Sequence, residues 1–401
     1  MRPRSRQLPG ADKAAAVVLG GYVNGYSIIR ELRACGVPCI WLIDVRRSIA
    51  SRSNQLDGFS LIQDDAVSLQ EELVRLARQL GQLVLFPTSD RHLELLHEVR
   101  EVLADTCFLP FRSETLLESL DKGIQYAHCQ RLGVPFPRTA EIETCEDLAR
   151  LDGLTFPVLL KPAKRDDLTS DVFRNLLLET KDTLDAQRRR ITAHVECGVK
   201  FLASELVPGD DTVIYAYTAY RSPTGRILNE WIGKKLNQYP DKFGVFSSAS
   251  NEAPDVVLEL GRKLVEGMDL VGIVEPEFKY DARDGTFKVM EVNLRSMMWH
   301  RMGSLSGVSL QFTQWCDAMG DAPRAQMQER QRRIHFVYMK HEIINLLSRR
   351  GYWPYFARNV FGGEERHFAV FNWRDPMPAI ADLITYPRAL LSTWLKRLGM
   401  R

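Results

Sequence analysis

The chain has 401 residues, 53 Lys and Arg against 51 Asp and Glu, and 45% hydrophobic residues. A composition this apolar and evenly charged excludes a disordered chain, and a net charge of +2 leaves no basic excess for capturing nucleic acid. At roughly 150 residues per domain, the length corresponds to two or three units, each able to bury a core.

The seven cysteines, at 35, 39, 107, 129, 145, 197 and 316, form no CxxC pair and no Cys/His cluster at zinc spacing, and they read as reduced thiols of a cytoplasmic protein. The basic N-terminus is followed by only a short apolar run, Ala14 to Leu19, which reads as a first strand and not as a signal peptide. No segment supplies the ~18 to 20 uncharged apolar residues that cross a bilayer. The best C-terminal candidate, Ile380 to Leu398, is broken by Asp382, Pro387, Arg388, Lys396 and Arg397, which leaves a surface-seeking helix as its upper limit.

Residues 1–110 alternate strand and helix: AAAVVLG, a helical stretch from Gly21 to Cys35, PCIWLID, a helix from Ser68 to Leu80, and QLVLFP. This is the pattern of an α/β domain with a parallel, doubly wound sheet of Rossmann-like type. Its first turn, GGYVNG from Gly20 to Gly25, either presents amides to an anion or serves close packing, since the GxGxxG spacing is incomplete. Asp44, at the end of the second strand, stands where a dinucleotide enzyme holds ribose, which keeps an oxidoreductase in view.

A second, α+β unit is expected over 111–320. It holds a helical stretch with Asp121-Lys122, the Pro-marked linker RLGVPFPRTA, the strand FPVLLKPA and a basic helix around Leu184 to His194. KFLASELVPGDD follows, then the β-rich TVIYAYTAY and RILNEWIGKKL across the turn Ser222 to Gly225, a helix from Pro254 to Gly267, and the strands VGIVEPEFKYD and FKVMEVNLR. From about Phe312 the pattern reads as helical, giving a helical C-terminal extension over 321–401 with an aromatic tail.

The segment from Glu277 to Arg295 carries the most chemistry. Residues two apart on a strand share a face, so Glu291, Asn293 and Arg295 project together. With a three-residue turn Arg283-Asp284-Gly285, Ala282 pairs with Thr286 and Glu277 falls opposite Glu291; a two-residue turn puts Glu277 on the other face. In the first register two carboxylates and an amide oxygen converge, a hard-oxygen set suited to magnesium bridging nucleotide phosphates, whereas the bland alternative is a solvent-facing hairpin edge. Lys161, ending an apolar strand, either reaches a phosphate or snorkels to water.

The order FPVLLKP, SELVPGDD, EFKYDARDGTFKVMEVNLR resembles the ATP-grasp superfamily over roughly Asp121 to Leu310, and most closely the carboxylate-amine ligases of the D-aspartate ligase-like group, with carbamoyl phosphate synthase large subunit more distant. The resemblance implies ATP held between two antiparallel-sheet subdomains, with Lys122 and Lys161 on the phosphates, Glu205 and Val207 on the adenine hinge, and Asp211 on the ribose. It also implies Glu277, Glu291 and Asn293 as ligands of magnesium, with manganese as the alternative ion, and Arg295 as the phosphate-stabilising arginine. The implied reaction activates a carboxylate as an acyl phosphate and joins it to an amine, releasing ADP and phosphate. A carboxylase, a phosphoryl transferase or an inactive nucleotide-binding module is the alternative.

Lys234, together with Lys235, and Arg301, beside His300, are further candidates for holding or activating substrate, with a structural histidine as the plainer role for His300. Asn24, Arg52, Ser53 and Thr88 to Asp90 either grip a substrate or cap helices. The expected partners are a small carboxylic acid and an amine, an amino acid or a carrier-linked acid among them. A homodimer is compatible with the sequence, as is peripheral membrane contact by the C-terminal tail, though packing of that tail on the ATP domain is the simpler expectation. Two departures from the family stand out: the lid loop from Ala163 has no glycine, leaving Lys164 or Arg165 to supply charge, and the usual NPR is NLR.

Overall fold

The computed structural model describes residues 14–163, 172–173, 175–241 and 244–386. The first sheet has five parallel strands in the order β3-β2-β1-β4-β5: β1 (Ala15–Leu19), β2 (Ile40–Asp44), β3 (Gly58–Leu61), β4 (Leu83–Pro87) and β5 (Cys107–Phe108). Strand β1 reads apolar at every position because both its faces are covered. Ala15, Val17 and Leu19 pack with Leu69, Leu73 and Leu76 of the Ala66–Leu80 helix; Ala16 and Val18 pack with Val23, Tyr26 and Ile29 of the Val23–Ala34 helix. Gly25 has a packing role, since a Cβ there would lie 2.0 Å from the Gly20 carbonyl oxygen.

A four-stranded antiparallel sheet follows in the order β6-β9-β7-β8: β6 (Thr139–Ile142), β7 (Val158–Pro162), β8 (Leu176–Leu178) and β9 (Phe201–Glu205). It has its own core, in which Val158, Leu160 and Ala203 meet Leu184, Ile191 and Val195 of the Lys181–Glu196 helix. The third sheet has seven strands in the order β14-β13-β10-β11-β12-β15-β16. These are β10 (Ile214–Arg221), β11 (Ile227–Tyr239), β12 (Val245–Ser250), β13 (Gly272–Asp281), β14 (Thr286–Asn293), β15 (Ile334–Val337) and β16 (Glu365–Phe368). The Asp255–Gly267 helix covers one face through Val257, Leu264 and Val265, while the Leu310–Ala318 helix covers the other, where Leu310 and Trp315 share a core with Ala216, Tyr220 and Trp231 that extends to the Val23–Ala34 helix.

The expectation of a purely helical region after residue 320 is corrected. IHFV pairs antiparallel with β12, ERHF pairs parallel with IHFV, and only the segments between and after them are helical: Met339–Ser348, Trp353–Phe361 and Met377–Ile384. Four-residue strands are too short for alternation to stand out against flanking helical periodicity. The region also grips the N-terminal sheet domain. Buried Asp375 accepts from Tyr26 Oη at 3.0 Å, from the Asn54 amide at 3.0 Å and from Ser53 Oγ, while Arg30 donates to the Phe368 and Ala369 carbonyls at 3.2 Å.

His341 makes this region sensitive to acid. Its Nδ1 lies 2.8 Å from the Phe246 carbonyl oxygen, so it carries the proton, and the ring sits 4.8 Å from Tyr239 and 4.4 Å from Tyr338. Burial holds its pKa down to about 4. A depressed imidazole pKa contributes stability that is complete above the unfolded value near 6.5 and is lost as pH falls from there towards 4. Chemical denaturation between about pH 7 and pH 5 is expected to show a loss of about 2 kcal/mol from this group, and His341→Gln should flatten that slope.

Candidate active site

The hairpin joining β13 to β14 departs from the expected turn. Asp281, not Ala282, pairs with Thr286, leaving a four-residue loop in which Gly285 takes φ +71°. Continued without interruption, that register would set Glu277 opposite Met290 and turn it away from Glu291. A bulge at Met290 restores the alignment, so that Glu277 faces Glu291 and Glu275 faces Asn293.

The bulge is held from the Lys122–Leu132 helix. Tyr126 Oη donates to the Met290 carbonyl at 3.0 Å, and the Gln125 carboxamide both accepts from the Val292 amide and donates to its carbonyl, each at 3.0 Å. Edge strand β14 therefore does not expose these backbone groups to water.

Glu275, Glu277, Glu291 and Asn293 share one face, and cations border it. Lys235, only 7% exposed, forms an ion pair with Glu277, and Lys122 Nζ lies 3.2 Å from Glu291 Oε2. Like charge and low dielectric drive the two facing carboxylates apart in titration. Burial, reinforced by Glu291 and Glu275, raises the Glu277 pKa against the pull of Lys235. The Lys122 charge lowers that of Glu291 well below the usual carboxylate range despite burial, with Lys161 and Lys235 adding to it. Burial opposes the charge on Lys235, but Glu277, with Glu275 and Glu291 behind it, outweighs this and raises its pKa.

Two carboxylates and a carboxamide suit an ion that prefers oxygen ligands and takes its remaining ligands from phosphate and water. The Asn293 Nδ2 and Glu275 Oε1 are buried without a partner, which leaves polar valence unspent beside the pair. Among the described residues no three Asp, Glu, His or Cys side chains are grouped as a self-sufficient metal cage.

Of the two adjacent lysines on β11, the one expected to contact substrate is on the wrong face. Lys234 reaches Glu252 at 3.5 Å and Lys235 reaches Glu277, because strand alternation allows only one of two neighbours to face the carboxylates. Arg301 is likewise not brought to the pair: its charged neighbours are Arg30 and Glu31, and burial, then Arg30, lowers its pKa to about 10. Arg295 makes a two-pronged contact with Asp90, at 2.7 and 3.2 Å, at the first turn of the Asp90–Glu98 helix.

The remaining residues lie in the four-stranded sheet and in the segment leading from it to β10. Glu205 ends β9 and accepts from the Thr155 amide at 2.8 Å, Val207 is buried, and Lys161 sits in β7 opposite Leu202. Both Asp211 carboxylate oxygens accept from Gln238, from its amide at 2.9 Å and its Nε2 at 3.1 Å. Lys164 and Arg165 lie outside the described residues.

Sequence reasoning missed Glu275. Its Oε2 lies 2.6 Å from His300 Nε2, and both residues are almost wholly buried. Its position two residues before Glu277 on the same strand was the available signal. The N-terminal candidates are occupied structurally: Asn24 Nδ2 donates to the Thr88 and Ser296 carbonyls, Ser89 caps its helix, and Asp44 accepts from the Gly21 and Val45 amides. The Asp44 carboxylate is thus committed to the turn that a dinucleotide would need.

No protein-family model matches the chain. It is 25% identical to D-aspartate ligase of Enterococcus faecium (strain Aus0004) over 318 residues, covering 73% of this chain and 74% of that one. Its fold is similar to that of N5-carboxyaminoimidazole synthetase from Staphylococcus aureus complexed with ADP, with a TM-score of 0.63, 12% identity and 90% and 92% of the two chains covered. It is also similar to L-amino acid ligase from Bacillus licheniformis, with a TM-score of 0.57, 15% identity and 81% and 79% covered. The chain therefore has the ATP-grasp fold, and its sequence likeness is to the D-aspartate ligase type of carboxylate-amine ligase to which the motifs point.

Proposed function

We propose that this protein is an ATP-dependent ligase that activates a carboxylate as an acyl phosphate and joins it to an amine, releasing ADP and phosphate. The observation that carries the reading is the Glu277–Glu291 pair, set face to face across the bulged hairpin with Lys122, Lys161 and Lys235 around it. Anions and cations interleaved in this way, Glu277 and Lys235 buried and Glu291 and Lys122 partly exposed, suit a polyphosphate and its counter-ion. Glu277, Glu291 and Asn293 would hold magnesium or manganese, which when bound supplies neutralisation of phosphate charge.

Lys122 and Lys161 neutralise phosphate oxygens, Arg295 steadies the transferred group, Glu205 and Val207 border the adenine and Asp211 lies at the ribose. The substrate carboxylate attacks the γ-phosphorus in line, the bond to ADP breaks, the amine then attacks the acyl carbon, and phosphate leaves as the amine gives up a proton. An amino acid such as D-aspartate suits the acid or amine role by analogy with the sequence relative. The seven free thiols support a cytoplasmic setting.

The test is a thermal shift with ATP and magnesium against NAD, followed by phosphate release over a panel of amino acids that includes D-aspartate. Stabilisation by ATP with magnesium, and phosphate release that requires both an acid and an amine, are expected. Stabilisation by NAD alone would remove the reading.

A further inference from the structure

The Met377–Ile384 helix is built inside out. Its one charged side chain, Asp382, is 3% exposed and accepts from Tyr338 Oη and Lys340 Nζ, each at 3.0 Å. Met377, Ile380, Leu383 and Ile384 all face solvent, Ile384 at 72% exposure. At about 100° per residue these four fall within roughly one third of the helix circumference, and a surface helix in water normally turns such a stripe inward.

The segment leading into the helix adds further exposed apolar side chains. Trp373 is 84% exposed and packs edge-on against exposed Phe371 at 4.7 Å, and Phe371 in turn lies 6.4 Å from Phe368. Single exposed apolar residues are ordinary, but six in one short stretch mark contact with something apolar.

Charge identifies the occupant. Residues 349–401 hold nine Arg and Lys against four Asp and Glu, a balance of +5 in a chain of net +2, so the rest of the molecule carries −3. Two of those four acids, Asp375 and Asp382, are buried, while Arg350, Arg358, Arg366 and Arg374 are exposed. The sequence beyond the helix adds Arg388, Lys396, Arg397 and Arg401, one tryptophan and no acid. Exposed aromatic and aliphatic side chains on the most basic segment of the chain, with exposed Arg374 beside Trp373, match an anionic lipid surface, where apolar groups enter the acyl boundary and cations meet headgroups.

We propose that the protein docks peripherally on anionic membranes through the face formed by Phe371, Trp373 and the outward side of the Met377–Ile384 helix. The test is flotation of the full chain with phosphatidylcholine vesicles, with or without about 30% phosphatidylglycerol. Flotation is expected with the anionic vesicles only, falling at least about tenfold in roughly 0.5 M salt and in the double variant Ile380→Glu, Ile384→Glu. That variant leaves the Asp382–Lys340 pair in place, and circular dichroism checks its fold. Absence of flotation on anionic vesicles, or undiminished flotation of the variant, overturns the proposal. So does a wild-type dimer in gel filtration that the same variant makes monomeric, since the face would then join two copies.

Discussion

Glu291→Gln will lower ATP-dependent phosphate release by at least about a hundredfold while leaving the chain folded. The change keeps the shape of the side chain and removes the one carboxylate whose charge Lys122, Lys161 and Lys235 all favour. The fold survives because Glu291 and Lys122 keep about a third of their side-chain surface in water, so the lost pair costs about 1 kcal/mol at most. Steady-state kinetics alongside thermal unfolding separate the two effects, and a variant that turns over normally contradicts the role assigned to the carboxylate pair.

Lys235→Met and Lys234→Met are expected to behave very differently although the residues are neighbours. Loss of Lys235 leaves Glu277 buried beside Glu275 and Glu291 with no cation of its own, a situation that costs about 3 to 5 kcal/mol. The variant should recover stability as pH falls, because Glu277 already has a raised pKa and takes up a proton readily once its lysine is gone. Lys234 holds Glu252 near the surface, so its replacement should stay within about 1 kcal/mol of the parent at every pH and spare turnover. Denaturant midpoints at two pH values decide the matter, and equal losses for the two variants would contradict the facing derived from the strand.

Much of the hairpin was open to inspection in the sequence, though for a partly mistaken reason. The expected three-residue turn and the observed four-residue loop differ by one residue, which in an unbroken ladder would have put Glu277 on the other face. The bulge at Met290 absorbs the difference. Its supports, Tyr126 and Gln125, lie more than 160 residues away in the chain, so no local pattern announces them.

Local chemistry was enough for whatever depends on near neighbours. Apolar runs buried on both faces give β1 and β4, helical spacing gives the Ala66–Leu80 and Asp255–Gly267 helices, and the EFK and EVN segments give a hairpin dense in oxygen ligands. Only the folded molecule chose between Lys234 and Lys235, placed Glu275 against His300, put β15 and β16 into the large sheet and drew Asp375 onto Tyr26. Each of those choices depends on which distant surface covers a face, and that is fixed by packing across the whole chain and not by the order of residues within a segment.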